Sequence, residues 1–256
     1  MAWNVPFIDY PRQYQKMRRE ILDTVDTVLG RGDVMLRGQL RDFEEHLASF
    51  VGTKFSVGTS NCTDSLHLSL RAAGAGPGDE VITVSHTFVA TAAAIHHAGA
   101  TPVLVDIGDD HNMDLDLAER AITRRTKAII PVHLNGRLCD MERLMSLAGA
   151  RGLTVIEDTA QALGGAFKGK KGGDWGLAGC FSFYPAKLLG AYGDAGALVT
   201  SDEEFAGKIR QLRDHGRMAD GDVSGWAFNC RLDNLHAAIL DLKLKQVPSW
   251  IARRRG

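Results

Sequence analysis

The chain has 256 residues, 45% of them hydrophobic, with 30 basic and 31 acidic side chains and a formal net charge of -1. That length suits one or two domains with a sizeable core. The even charge balance excludes the basic footprint of a nucleic-acid-binding protein, and no apolar run is long enough to cross a bilayer, so neither kind of partner is expected. The run Arg253, Arg254, Arg255 reads as the solvated end of a helix. Cys62, Cys139, Cys180 and Cys230 form no CxxC pair, and the nine histidines include no HExxH. No metal is therefore expected. The N-terminal stretch lacks the apolar core of a signal peptide, and a reduced, cytoplasmic setting follows.

Taken in chain order, short apolar runs alternate with stretches of helical character. Strands are expected over residues 55–57, 81–84, 103–106, 128–133, 154–157, 180–183 and 197–200. Helices are expected to begin near Thr63, Thr87, Leu115, Asp140, Asp202 and Asp233. This alternation implies an α/β fold, a mostly parallel mixed sheet with helices on both faces. The last two strands lack an intervening helix, which suits an antiparallel hairpin. Residues 168–176, KGKKGGDWG, read as a loop.

Ligands of such sheets collect at the carboxyl ends of the strands. Three segments there carry chemistry. In GTSNCTDSLHLSLRAAG a strand gives way to a helix that Asn61, Thr63 or Asp64 could cap. Its free N–H groups suit a phosphate, although an ordinary capped helix has the same pattern. In TVIEDTAQALGG, Glu157 and Asp158 close a buried strand. A carboxylate there could hold a protonated ring nitrogen or cap the next helix. In CFSFYPAKLLGAYGDAGALVT, Lys187 is the sole basic residue between Lys171 and Lys208. Apolar surroundings make its charge costly and favour a nucleophilic amine; a snorkelling surface lysine is the alternative. A phosphate-binding helix start, a carboxylate and an isolated lysine are together the parts that hold pyridoxal phosphate (PLP).

A nicotinamide-dependent oxidoreductase fits less well. The glycines of GAGPG follow a helix instead of opening one, and Tyr184 and Lys187 stand one residue too close for a YxxxK pair.

The ordered segments VPFIDYPRQY, GTSNCTDSLHLSL, VITVSHTFVATAAAI, KAIIPVHLNG, IEDTAQALGGAFKGK, FSFYPAKLLGAYGDAGALVTSD and FNCRLDNLHAAIL span nearly the whole chain. It resembles the DegT/DnrJ/StrS family of PLP-dependent nucleotide-sugar aminotransferases, enzymes of PLP fold type I. The resemblance implies that Lys187 forms the Schiff base with PLP and Asp158 pairs with the pyridine nitrogen. Gln161 would lie near the phenolic oxygen and Phe88 would stack on the ring. Cys62, Thr63 and Ser182 would hold the phosphate. Asn229 would reach the phosphate of a neighbouring subunit, which implies a homodimer with shared sites. Glutamate is the implied amino donor and a nucleotide-linked keto sugar the acceptor. Gln161 beside FYPAK and GDAG resembles members acting on 3-keto sugars.

The family pattern also implies an N-terminal arm over residues 1–12, a large PLP-binding domain over 13–240, and the start of a smaller domain over 241–256. Most of that smaller domain is expected to be absent from these 256 residues. A PLP-binding but non-catalytic sensor or scaffold is therefore the alternative. Cys62 replaces a glycine of the family pattern, and strain is expected if that position needs positive φ. Asn135 stands where an aromatic residue is frequent, which would alter the sugar end of the pocket.

Overall fold

The computed structural model describes residues 5–218 and 220–256; residues 1–4 of the expected arm lie outside them. The chain opens with two helices, α1 (Tyr10–Arg31) and α2 (Gly38–Val51). Four βα steps follow: β1 (Phe55–Thr59) with α3 (Cys62–Ala72), β2 (Glu80–Val84) with α4 (Ala90–His97), β3 (Thr101–Val105) with α5 (Leu115–Arg120), and β4 (Thr126–Ile130) with α6 (Met141–Arg151); β5 (Thr154–Asp158) comes next without a helix of its own. A small ribbon of β6 (Ala166–Phe167) and β7 (Lys170–Lys171) precedes β8 (Ala178–Ser182) and β9 (Gly196–Thr200). Helices α7 (Glu203–Arg213), α8 (Asn234–Leu244) and α9 (Val247–Arg255) complete the chain.

Seven strands form one sheet in the order β1-β9-β8-β5-β4-β2-β3. β9 runs antiparallel to both of its neighbours, and the other pairings are parallel. The expected hairpin is therefore β8–β9, with Ser182 opposite Gly196. Side-chain alternation assigns the two faces. Ala128, Ile130, Ile156, Cys180 and Leu198 meet α3, α4 and α7, with Leu66, Ile95 and Ile209 among the buried partners. Ile129 and Val155 meet α5 and α6 on the opposite face. Phe181 and Val199 pack there against α2 and α8 through Phe43, Leu47 and Leu240.

Two features depart from the expectations. The KGKKGGDWG stretch is not wholly a loop: Lys170 and Lys171 pair antiparallel with Phe167 and Ala166. Two-residue strands leave no periodicity to read. Helices α1 and α2, together with α9, also lie outside the anticipated βα alternation. α1 has clear local signals: Asp9 accepts the Arg12 N–H at 3.0 Å, and Gly32 ends the helix at φ 68°. α2 has no side-chain cap of its own. Asn234, at the start of α8, supplies one: its Oδ1 accepts the N–H groups of Arg37 (3.2 Å) and Leu40 (3.1 Å). The asparagine of the RLDN motif is thus structural. A buried ion pair between Glu44 on α2 and Arg213 on α7 also clamps the Gly58 peptide of β1, through hydrogen bonds of 2.8 Å each to its N–H and C=O.

Candidate active site

Strand β5 ends in two adjacent carboxylates, and the pleat points them apart. Glu157 follows Val155 to the α5/α6 face and is fully buried. It accepts hydrogen bonds from the backbone N–H of Gly173 (2.9 Å), Trp175 (2.8 Å) and Gly176 (2.9 Å), and contacts His133 Nε2 at 3.0 Å. These partners saturate its oxygens and fix the loop before β8. Burial disfavours a charge on His133, but its contacts with Cys139 and Glu157 outweigh this and raise its pKa to about 9. Once protonated, the ring gives up the 3.4 Å contact that Cys139 N–H makes to Nδ1, because both nitrogens then donate.

Asp158 follows Ile156 to the α3/α4 face and is 6% exposed. Its Oδ2 accepts the Thr91 hydroxyl at 2.8 Å and its Oδ1 the Ala160 N–H at 3.1 Å. No cationic side chain forms an ion pair with it among the described residues. Burial raises its pKa, while the Thr91 and Ala160 hydrogen bonds and the charges of His133 and Lys187 oppose that shift. Thr91 is fully buried on α4; it also contacts the Thr87 hydroxyl at 2.8 Å and the Phe88 carbonyl at 3.3 Å. It therefore ties the Phe88 turn to Asp158. Sequence reading missed Thr91; the one available signal was a threonine opening the alanine-rich run TAAAI.

The α3 start is built for an acceptor. Asn61 caps it by taking the Asp64 N–H at 2.8 Å. The N–H groups of Cys62 and Thr63 have no acceptor among the described residues, and they stand at the positive end of the helix. Gly196 lies against this turn: a Cβ there would be 2.3 Å from the Asn61 carbonyl carbon and 2.7 Å from Cys62 N. The last glycine of GDAG is thus required by the helix start. Cys62 occupies the first helical position and is not among the residues with positive φ, so the expected strain is absent. Its thiol pKa is pushed up by burial first, then by Asp158 and Cys180, while Lys187 pulls it down.

Lys187 is half-buried in the β8–β9 loop, and its charge is felt at both Asp158 and Cys62. Ser182 ends β8 next to β5, its hydroxyl accepting the Tyr184 N–H at 3.3 Å. Phe88 is 72% exposed at the turn into α4. Gln161 is exposed, and its Oε1 accepts the Asn135 N–H at 2.9 Å, while its NH2 group makes no hydrogen bond among the described residues. Asn135 itself adopts φ 56°, a conformation asparagine tolerates better than aromatic residues, and it lines a separate cavity of about 550 Å³ with Arg137 and Phe167. Asn229 is exposed and bridges Asp214, while the next residue, Cys230, accepts the Ser60 N–H at 3.1 Å just ahead of the α3 start. Asn229 makes no hydrogen bond to Lys187, Asp158 or Cys62 among the described residues.

A buried carboxylate without a cation, two free N–H groups at a helix start and a hydroxyl beside them fit a phosphorylated pyridinium. Residues 15–256 match the DegT/DnrJ/EryC1/StrS aminotransferase family. The chain belongs to this family. A "Pleiotropic regulatory protein" of Geobacillus stearothermophilus is 44% identical over 98% of this chain and 68% of its own length. The dTDP-3-amino-3,4,6-trideoxy-alpha-D-glucose transaminase of Streptomyces venezuelae is 42% identical over 98% of this chain and 66% of its own. The crystal structure of S. venezuelae DesV with a ketimine intermediate superposes with a TM-score of 0.96 at 42% identity, covering 99% of this chain and 69% of DesV. Other similar solved structures are described with PLP or its amine form: ntda of Bacillus subtilis with bound PMP and a putative sugar aminotransferase of Streptococcus pneumoniae in its PLP form. The chain thus spans about two thirds of the length of these relatives.

Proposed function

We propose that this family member transfers the amino group of glutamate to a nucleotide-linked keto sugar, with the C3 ketone as acceptor. Glutamate and the keto sugar become 2-oxoglutarate and the amino sugar. One observation carries the reading: Asp158, Cys62 and Lys187 share one field at the carboxyl edge of the sheet, and Asp158 is buried without a cation. The 3-amino sugar in the name of the Streptomyces relative supports the C3 position.

The family is PLP-dependent. When bound, PLP supplies an aldehyde that captures amines and a pyridinium that accepts the electron pair released at the amino acid's Cα. Cys62 and Thr63 N–H and the Ser182 hydroxyl bind the phosphate. Asp158, held by Thr91, keeps the ring nitrogen protonated. Phe88 would stack its exposed ring on the cofactor, and the Gln161 NH2 group would serve the phenolic oxygen. Lys187 Nζ would anchor the cofactor and, once released, would serve as the acid/base that moves a proton between the substrate Cα and the cofactor's C4′ carbon.

The exposed position of Asn229 supports a homodimer in which it serves the partner's site. Four cysteines without disulfides suit the cytoplasm. The same reading divides the chain into an arm over 1–12, a cofactor domain over 13–240 and the start of a smaller domain over 241–256. A PLP-binding but non-catalytic sensor or scaffold is not favoured, because relatives matched over nearly the whole of this chain are named as sugar transaminases.

The test is borohydride reduction of the PLP-loaded chain followed by peptide mapping. PLP is expected on Lys187 and lost in Lys187→Ala; retention of a reducible linkage in that variant would remove Lys187 from its role. Incubation with glutamate and a dTDP-linked 3-keto sugar should then release 2-oxoglutarate.

A further inference from the structure

The β8–β9 connection is folded tightly on itself. Lys187 N–H donates to the Tyr184 carbonyl and Ala191 N–H to the Phe183 carbonyl, each at 2.8 Å. Gly190 has no room for a side chain, since a Cβ would lie 2.3 Å from the Pro185 oxygen. Lys243, reaching in from α8, also holds the loop. Its Nζ donates to the Gly190 carbonyl and sits 5.0 Å over the Tyr192 ring.

Lys243 is an expensive residue to keep there. It is 7% exposed, and burial lowers its pKa to about 8. Lys245, two residues on, pairs with Asp241 at 3.8 Å; Lys243 has no such carboxylate among the described residues. A buried cation without a counter-ion is destabilising, and an apolar side chain of similar length would pack at less cost. Both of its contacts fall on the loop that carries Lys187. Lys243 and Lys187 also line one open cavity of about 780 Å³, with Tyr192, Lys16 and Trp250 around it.

We propose that Lys243 is a positioning residue for Lys187: its bond to the Gly190 carbonyl and its contact with the Tyr192 ring hold the β8–β9 loop so that Lys187 is presented to Asp158 and Cys62. This rests on the reading of Lys187 as the PLP-binding lysine. Positioning losses of this kind appear in the rate at which a lysine engages its partner more than in the binding of remote substrate parts.

The experiment compares the wild-type chain with Lys243→Met, Lys243→Gln and Lys243→Arg. It measures the rate of PLP attachment from visible absorbance, the attachment site by borohydride trapping, and folding by thermal melting. Lys243→Met should remain folded and attach PLP at Lys187 roughly tenfold more slowly. Lys243→Arg, which can donate to Gly190 and stack on Tyr192, should return most of the rate. If the methionine variant does not fold, Lys243→Gln takes its place, with an intermediate loss expected. Wild-type attachment rates in Lys243→Met, or losses in the arginine variant as large as in the methionine one, would overturn the proposal. Failure of the wild-type chain to attach PLP at Lys187 would instead overturn the functional reading beneath it.

Discussion

Glu157 and Asp158 are adjacent in one strand and almost equally cut off from water, yet their surroundings differ in kind. The Glu157 region is closed: three backbone N–H groups and His133 account for its oxygens. The Asp158 region is open-ended: a threonine hydroxyl and one N–H orient the carboxylate, and neither brings a positive charge. A saturated buried carboxylate organises its own chain. A buried carboxylate that is oriented but left without a counter-charge is prepared for one that arrives from outside. The difference between structure and function here lies in the donors, since burial is nearly the same.

Exchanging each carboxylate for its amide should separate the two regions most sharply. Glu157→Gln places an NH2 group among N–H donors and should lower unfolding stability by roughly 2–4 kcal/mol. Cofactor attachment should survive in the fraction that stays folded. Asp158→Asn should leave stability unchanged or raise it, and should reduce kcat/KM by roughly 10- to 100-fold. Chemical denaturation and steady-state kinetics on both variants check the contrast, and equal stability losses would abolish it.

A smaller effect concerns pH. The raised His133 pKa gives stability that is fully present below the usual 6.5 and is lost as pH rises through about 9. The raised Asp158 pKa has the same sign: stability is full below the ordinary aspartate range and is lost as pH rises through the elevated value. A bound pyridinium would remove the Asp158 contribution and leave that of His133. Thermal melts from the acid to the alkaline range, with and without PLP and in His133→Asn, should show only the His133 slope persisting on cofactor loading. The smallest change expected is in Cys62→Gly. The phosphate donor at that position is a backbone N–H, and the cysteine is unstrained, so PLP affinity should stay within about threefold. Stability should fall by roughly 0.5–1 kcal/mol from the helical glycine. An affinity change beyond that range, measured by cofactor titration, would return the side chain to the argument.

Much of the fold was legible because the strands are short, apolar and flanked by capped helices. The β8–β9 hairpin was readable from a missing helix. The opening helices were not: α1 buries few side chains, Ile21 and Val28 among them, so its pattern is dominated by exposed charge. The α2 cap comes from Asn234, far away in sequence. At the site, motif and spacing singled out Lys187, Asp158 and the α3 start. Spacing alone left Glu157 and Asp158 equal; the family resemblance chose Asp158, and the pleat then sent the two carboxylates to opposite faces. Thr91 and Lys243 act through contacts with distant segments, and a lone threonine or lysine carries no local signature of such a role.

The single reversed strand of the sheet also bears on how the site is assembled. Every parallel pairing must wait for a crossover to close, whereas β8 and β9 are joined by the loop that holds Lys187. Closing that loop costs about 2 kcal/mol less entropy than bringing Phe55 to Thr200. Lys187 and Ser182 therefore belong to a local unit that forms cheaply during folding, and Asp158 and the α3 turn dock onto it through contacts of longer range.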